Sequence, residues 1–232
     1  MSIGLSKLLR ARSYRAVANM VRRGYRFGQL QHIPFFSGVG DSAWVIYGLV
    51  RALKPTVCVE IGSARGKSAC FIAQALQENN KGKLYAIDPH NVNAWNDLGS
   101  EDTFGVLSGN LRKLNLSHRV EILRQTSAVA AVGWNTPIDL LFIDGDHTYD
   151  GVRNDWDLFS RHLTLFGVAL FHDTIWEVGE VDEQFRRKNM GVPSFVEELR
   201  RTGYPVITLP RDCGLSMVQK AAGGVPLTKD EG

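Results

Sequence analysis

The stretch Thr56-Val-Cys-Val-Glu60-Ile-Gly62-Ser-Ala-Arg-Gly66-Lys-Ser68 decides the fold. Its apolar run is continuous and β-branched, the pattern of a strand buried on both faces. Two glycines mark a tight turn, and Lys67-Ser-Ala-Cys-Phe-Ile-Ala-Gln-Ala-Leu76 continues at helical spacing. A strand that turns through glycine into a helix offers a ligand free backbone N–H groups and the positive end of a helix dipole.

Two nucleotide-binding patterns do not fit. Gly62 and Gly66 stand one residue too close for the phosphate-cradling G-x-x-x-x-G-K-[ST] loop, although Lys67-Ser68 follows them. The dinucleotide fingerprint needs three glycines, and only two are present. What stands here is Glu-x-Gly-x-x-x-Gly. Glu60, just before the first glycine, would repel a pyrophosphate but could hold an ammonium, directly or through water. Asp88, ending Lys83-Leu-Tyr-Ala-Ile-Asp88, is placed to accept both hydroxyls of a ribose. A site with an amino-acid end, a ribose and no diphosphate suits S-adenosylmethionine.

Further along, Arg119–Arg124 alternates as a third strand, with Gln125-Thr-Ser127 at its carboxyl end. Ile138–Ile143 reads as a fourth and Gly167–Phe171 as a fifth. In an open α/β sheet, ligands collect beyond the carboxyl ends of the strands, at the switch point between the first and fourth. Asp144-Gly-Asp146-His147 and His172-Asp173 therefore reach one rim. Carboxylates and imidazoles with room for water suit a divalent metal.

These motifs, Val59–Ser68, Ala86-Ile-Asp88, Phe142-Ile-Asp-Gly-Asp-His-Thr-Tyr149 and Phe171-His-Asp173, resemble those of class I S-adenosylmethionine-dependent methyltransferases. The branch they resemble includes macrocin-type sugar O-methyltransferases and cephalosporin-hydroxylase-like proteins. The likeness covers roughly residues 35–220. It implies an α/β fold, a Rossmann-like seven-stranded, mostly parallel sheet with helices on both faces and an antiparallel last strand. It implies cofactor contacts from Glu60, Gly62, Ser63, Gly66, Ser68, Asp88, Ser127 and Asp144, with Ser127 at the adenine. It also makes Asp144 a magnesium ligand and His147 the base. Asp144, His172 and Asp173 form the implied metal set. The fifth-strand pair is often acidic-acidic in that branch, so His172 leaves one oxygen ligand fewer; magnesium is the expected ion, and an imidazole would also suit manganese, iron or zinc.

Composition sets the outer bounds. The 232 residues are 44% hydrophobic and 22% charged, enough for one domain with a full core. No apolar run approaches the ~18–20 residues of a membrane span, and arginines interrupt each candidate signal-peptide core. Cys58, Cys70 and Cys213 lack metal-ligand pairing, and the first two read as small core residues. Together these features lead us to expect a cytoplasmic protein.

The net charge of +3 conceals an asymmetry. Residues 1–40 carry seven bases (Lys7, Arg10, Arg12, Arg15, Arg22, Arg23, Arg26) and no acid, which leaves −4 for the rest. Leu5, Leu8, Leu9, Ala16, Val17, Met20 and Val21 recur among them at near-helical spacing. Such a helix could pack on the domain or on a second subunit in a homo-oligomer. The alternative is that it lies on an anionic inner-membrane face or a glycolipid through residues 1–26. An organellar presequence shares this composition. No aromatic-basic platform for nucleic acid is present.

The expected organisation is thus a basic helix and loop at 1–40, a methyltransferase domain at 41–220 and a flexible tail at 221–232. Phe35-Phe36 reads as lid or core, and the polar stretch from Pro89 to Asp102, with His90, Asn91 and Trp95, as a binding loop or a solvated one. Asp41 or Ser42 is the expected cap of the helix before the first strand, and Asp146 a candidate turn or cap residue. Asp150, Asp155 and Asp157 read as solvated helix-face acids. The expected chemistry is methyl transfer to a hydroxyl of a sugar, glycan or glycosylated natural product. A catechol-like diol is the same-class alternative, and a non-catalytic cofactor-binding protein docked to a membrane or partner the rival.

Overall fold

The structure is a computed structural model that describes residues 14, 16–18, 20–21, 24, 28–31, 37–91, 102–175 and 190–219. Two compact units divide the chain after Phe35. In the first, the described residues are helical, and Tyr14, Val17, Met20 and Val21 are exposed. All seven basic residues at 1–26, along with Phe35, Phe36 and Trp95, lie outside the described residues, as does the expected tail at 221–232.

The second unit begins with α1 (Ser42–Leu53), β1 (Val57–Ile61), α2 (Lys67–Asn79), β2 (Lys83–Ile87) and α3 (Thr103–Lys113). It continues with β3 (Val120–Leu123), the short α4 (Ser127–Ala131), β4 (Ile138–Ile143), α5 (Tyr149–Phe159) and β5 (Leu163–His172). It closes with α6 (Val192–Arg201), β6 (Val206–Leu209) and β7 (Leu215–Gln219). The strands form one sheet of order β3-β2-β1-β4-β5-β7-β6. The first five run parallel, and β7 is antiparallel to both β5 and β6. The expected Rossmann-like sheet is therefore present, and its order reverses between β1 and β4.

β5 is longer than the sequence pattern suggests. It starts at Leu163, and its register with β4 shifts between Ile138 and Leu140. The extra residues include the exposed Leu165 and Phe166, so the apolar alternation breaks where the strand bulges.

Burial explains the parallel arrangement. Val59, Leu84, Leu140, Leu141 and Leu170 are fully buried, as strands covered on both faces require. One face packs against α5 and α6 through Trp156, Phe171 and Phe195, with ring centroids 5.6–6.5 Å apart. On α2, every residue from Ser68 to Leu76 is buried, Cys70 among them, and Cys58 is buried on β1. Burial raises both thiols well above their ordinary value, so they are core groups and not nucleophiles.

The cap of α1 comes from a distant segment. The Asp41 side chain makes no cap bond. Instead Asp212, in the β6–β7 turn, accepts from the Ser42 backbone N–H at 2.7 Å and from its hydroxyl at 3.1 Å. Gly40 has to be glycine here, since a Cβ would meet the Asp212 carboxylate at 2.4 Å. Arg211 also pairs with Asp41 at 2.7 Å. We expect Asp212→Ala to cost about 1 kcal/mol of unfolding free energy, and Arg211→Ala, at an exposed pair, under about 0.5. Urea titration of both variants checks this, and equal losses would contradict the cap assignment.

Candidate functional site

The β1 turn and the β4 end are wedged together. Gly62 N–H donates to the Ile87 carbonyl, and Asp144 N–H to the Ile61 carbonyl, both at 2.9 Å. Gly62 has φ +87°, and a Cβ on it would lie 2.1 Å from the Asp144 carbonyl oxygen. Only glycine tolerates both conditions. Gly66, at φ +86°, sits just before α2, where a Cβ would strike Leu107 at 2.2 Å.

Beyond these ends lies a cavity of about 510 Å³, within the range of small-molecule sites. Gly62, Asp88, Ser127, Asp144 and His147 all line it. Asp88 accepts from the Ala64 N–H at 2.8 Å and the His90 N–H at 2.6 Å. One lone pair on each oxygen is thereby used to orient the carboxylate, and the others remain for a ligand. His90 itself turns back to Thr103, 2.9 Å from its hydroxyl.

Glu60, Ser63 and Ser68 stand behind this lining, all buried. Burial pushes the Glu60 carboxyl up to about 8; the Ser68 hydroxyl draws it down, and the charges of Asp144 and Asp88 raise it again. Neither Glu60 oxygen nor the Ser63 hydroxyl has a hydrogen-bond partner at normal distance. A ligand in the adjoining cavity could satisfy these buried polar atoms.

The ends of β4 and β5 bring two carboxylates and two imidazoles together. His147 Nδ1 lies 2.8 Å from Asp173. His172 Nδ1 lies between Asp144 at 3.3 Å and the other Asp173 oxygen at 3.1 Å. The order is thus Asp144, His172, Asp173, His147, with acids and bases alternating. Burial alone would lower both histidines, but the carboxylates outweigh it and raise them, His172 most. Burial would conversely raise Asp173, yet its bonds from both imidazoles hold it far below the usual carboxylate range.

Asp144, His147 and Asp173 each offer one potential ligand atom, and these lie within 4.8 Å of one another. This convergent set differs by one histidine from the expected Asp144, His172 and Asp173. The Nδ1 of His172 is engaged with both acids and its Nε2 is buried, so the ring braces the carboxylates from behind. His147 stands at the cavity instead, its backbone carbonyl accepting from Gly191 N–H at 2.8 Å.

The neighbouring acids divide between turn, solvent and cavity. Asp146 accepts from Thr148 N–H at 3.0 Å, and Thr148 is the residue that caps α5. Asp150 and Asp157 are exposed, as their helix-face reading has it. Asp155 is not: it is 4% exposed and lines the cavity. The signal was present, because Val152, Asp155, Trp156 and Phe159 follow i, i+3, i+4, i+7 spacing and form the buried face of α5.

The family described as "Methyltransferase domain" matches residues 59–174, half of the chain. An uncharacterised protein of Sinorhizobium fredii, y4gI, is 28% identical over 200 residues, 81% of this chain but 21% of its own length. The chain spans between a fifth and a half of the curated relatives it matches. Among solved structures, Podospora anserina methyltransferase PaMTH1 with bound S-adenosylhomocysteine aligns with TM-score 0.63 at 15% identity, over 85% of this chain and 86% of that one. The O-methyltransferase TomG of Streptomyces achromogenes, in complex with S-adenosylmethionine, aligns at 0.60 and 15% identity, over 82% and 83%. The chain belongs to the methyltransferase-domain family and has the fold of S-adenosylmethionine-dependent O-methyltransferases.

Proposed function

We propose that this chain transfers a methyl group from S-adenosylmethionine to a hydroxyl of a sugar, glycan or glycosylated natural product, with a divalent cation assisting. The observation that carries the reading is the juxtaposition, in one cavity, of Asp88 with Asp144 and His147, which form a cluster with the buried Asp173. The unpartnered oxygens of Glu60 fit the ammonium end of the donor, and Asp88 fits its ribose. The carboxylates of Asp144 and Asp173 fit a divalent ion that keeps several waters, with the His147 ring beside them.

The donor supplies a methyl already activated on sulfonium sulfur. A cation held by Asp144 and Asp173 would polarise the acceptor hydroxyl and fix a vicinal one. The chain's own work is alignment and proton removal. Holding acceptor oxygen and methyl carbon in line contributes up to about 7–11 kcal/mol. Asp173 engages His147 at Nδ1, so Nε2 is the atom that takes the hydroxyl proton. The raised basicity of that ring favours the transfer, and Asp173 stabilises the imidazolium that results. His172 keeps the two carboxylates in place.

The direct test is turnover of labelled donor with nucleotide sugars, glycolipids and catechol-like diols, with and without chelator. Methylation of the diols alone would overturn the glycan reading, and turnover unaffected by chelator would remove the cation. We expect His147→Ala to lower turnover by about 100-fold or more while donor affinity, from calorimetry, stays within about threefold. Asp88→Ala should weaken the donor about 10-fold or more without any such split, because it removes the ribose contacts.

Glu60 links donor binding to pH. With its carboxyl pushed up to about 8, the free protein holds a proton there at neutral pH. An ammonium beside it favours the charged form, so donor affinity rises from pH 6 to pH 8 and then levels. Glu60→Gln should flatten that profile, and a retained slope would place the linkage elsewhere.

A further inference from the structure

β5 ends in a way that an ordinary strand does not. Along an extended strand successive side chains point to opposite faces, so neighbours in sequence stay apart. His172 and Asp173 are such neighbours, yet His172 Nδ1 lies 3.1 Å from an Asp173 carboxylate oxygen. The contact is possible because Asp173 leaves the strand at φ +59°. This left-handed turn brings the carboxylate to the His172 side, where its other oxygen reaches His147 at 2.8 Å. Aspartate enters the left-handed region more readily than most residues, but it persists there only where its surroundings hold it.

The β6–β7 turn supplies the hold. Thr174 N–H donates to the Gly214 carbonyl at 3.4 Å, and Ile175 N–H to the Cys213 carbonyl at 3.1 Å. Gly214, at φ +93°, lets the two segments approach so closely that a Cβ on it would stand 2.8 Å from the Thr174 hydroxyl. Behind that contact runs a file of hydroxyls. Ser216 Oγ donates to Thr174 Oγ1 at 2.9 Å, Thr208 Oγ1 lies 2.8 Å from Ser216, and the Arg200 guanidinium donates to Thr208 at 3.3 Å. The one Ser216 proton goes to Thr174, so Thr208 is the donor to Ser216. Every bond in the file then points the same way, from a guanidinium on α6 to the residue after Asp173, and such alignment strengthens each of them. Ser216 is fully buried and Thr174 nearly so, and solvent does not compete for the bond between them. A buried hydroxyl costs stability unless it is bonded; valine and alanine would pack here without that cost.

We propose that Thr174 and Ser216 are positioning residues for the transfer: their buried hydroxyl bond locks the turn at Asp173 and so aims its carboxylate at His147. The assignment rests on the methyl-transfer reading above and names what keeps its base oriented. Without the bond, β5 and β7 stay paired through Phe171–Ser216 and His172–Leu215, and the sheet survives. The Asp173 backbone is then free to relax toward the extended region, which turns its carboxylate away from His147.

The test compares Thr174→Val, which keeps the shape and removes the hydroxyl, with Thr174→Ser, which keeps the hydroxyl and removes a methyl. Ser216→Ala deletes the other partner. Imidazole NMR of the full chain, with neither cation nor donor added, reads the Asp173 bond through the low-field Nδ1–H signal of His147, assigned by its absence from His147→Ala. Wild type and Thr174→Ser should share that signal, and Thr174→Val and Ser216→Ala should lose it. Turnover should fall about 10- to 100-fold in the latter two and by less than about threefold in Thr174→Ser, the usual range for partners that orient a functional group. Affinity for S-adenosylhomocysteine, from calorimetry, should stay within about threefold throughout. Urea titration checks that each variant is folded, and if Ser216→Ala is not, the Thr174 pair decides. No His147 signal in wild type, its retention in Thr174→Val, its loss in Thr174→Ser, or unchanged turnover in Thr174→Val overturns the proposal. If the signals behave as expected but wild type turns over no donor, the methyl-transfer reading falls, while the hold on Asp173 stands.

Discussion

The contact on which the rest depends is the one between Gly62 and the Asp144 carbonyl. Sheet order reverses between β1 and β4, so the turns that leave these neighbouring strands run in opposite directions and a crevice opens above them. The two turns must nonetheless touch at its base, and a missing side chain at Gly62 is what permits it. Any Cβ there would drive the β4 end outward and take Asp144 with it. The backbone exchange of Gly62 with Ile87 and of Asp144 with Ile61 then ties three strand ends into one platform. Asp88, Asp144 and Glu60 owe their relative positions to that platform.

The acids crowded onto it repel each other, and the chain manages the repulsion in two ways. Glu60 is buried and takes up a proton. Asp144 and Asp173 are bridged by the His172 imidazole, and His147 pairs with Asp173 on its other side. The first device leaves a carboxyl that a cation can ionise, and the second leaves a pair of anions already arranged for one. Both suit a site that receives positively charged partners, and both would be wasteful in a purely structural core.

Much of this was legible in the residues. Continuous apolar runs gave the parallel strands, and Glu60, Gly62, Asp88 and Asp144 had to gather because strand ends gather. What could not be read was side-chain direction around a strand terminus. His147 follows an acid at the rim and His172 precedes one, and which imidazole turns outward is set by packing, not by order in the chain. Asp155 was hidden because one acid on a helix with Asp150, Arg153, Asn154 and Asp157 looks solvated until the apolar stripe is traced through it. Asp212 was hidden for a different reason: capping rules look at neighbouring residues, and this cap arrives from 170 positions away.

That distant cap has a consequence for how the domain is made. α1 emerges early in synthesis, with no side chain of its own segment to close its first turn. The residue that closes it is translated after β6, when nearly all of the sheet has left the ribosome. The first turn of the helix beside the first strand is thus closed by the last hairpin, and the same clasp joins segments 170 positions apart. A nascent chain halted before position 212 would keep the five parallel strands but lack β7 and leave that first helix frayed, so completion of the hairpin serves as the finishing step of assembly.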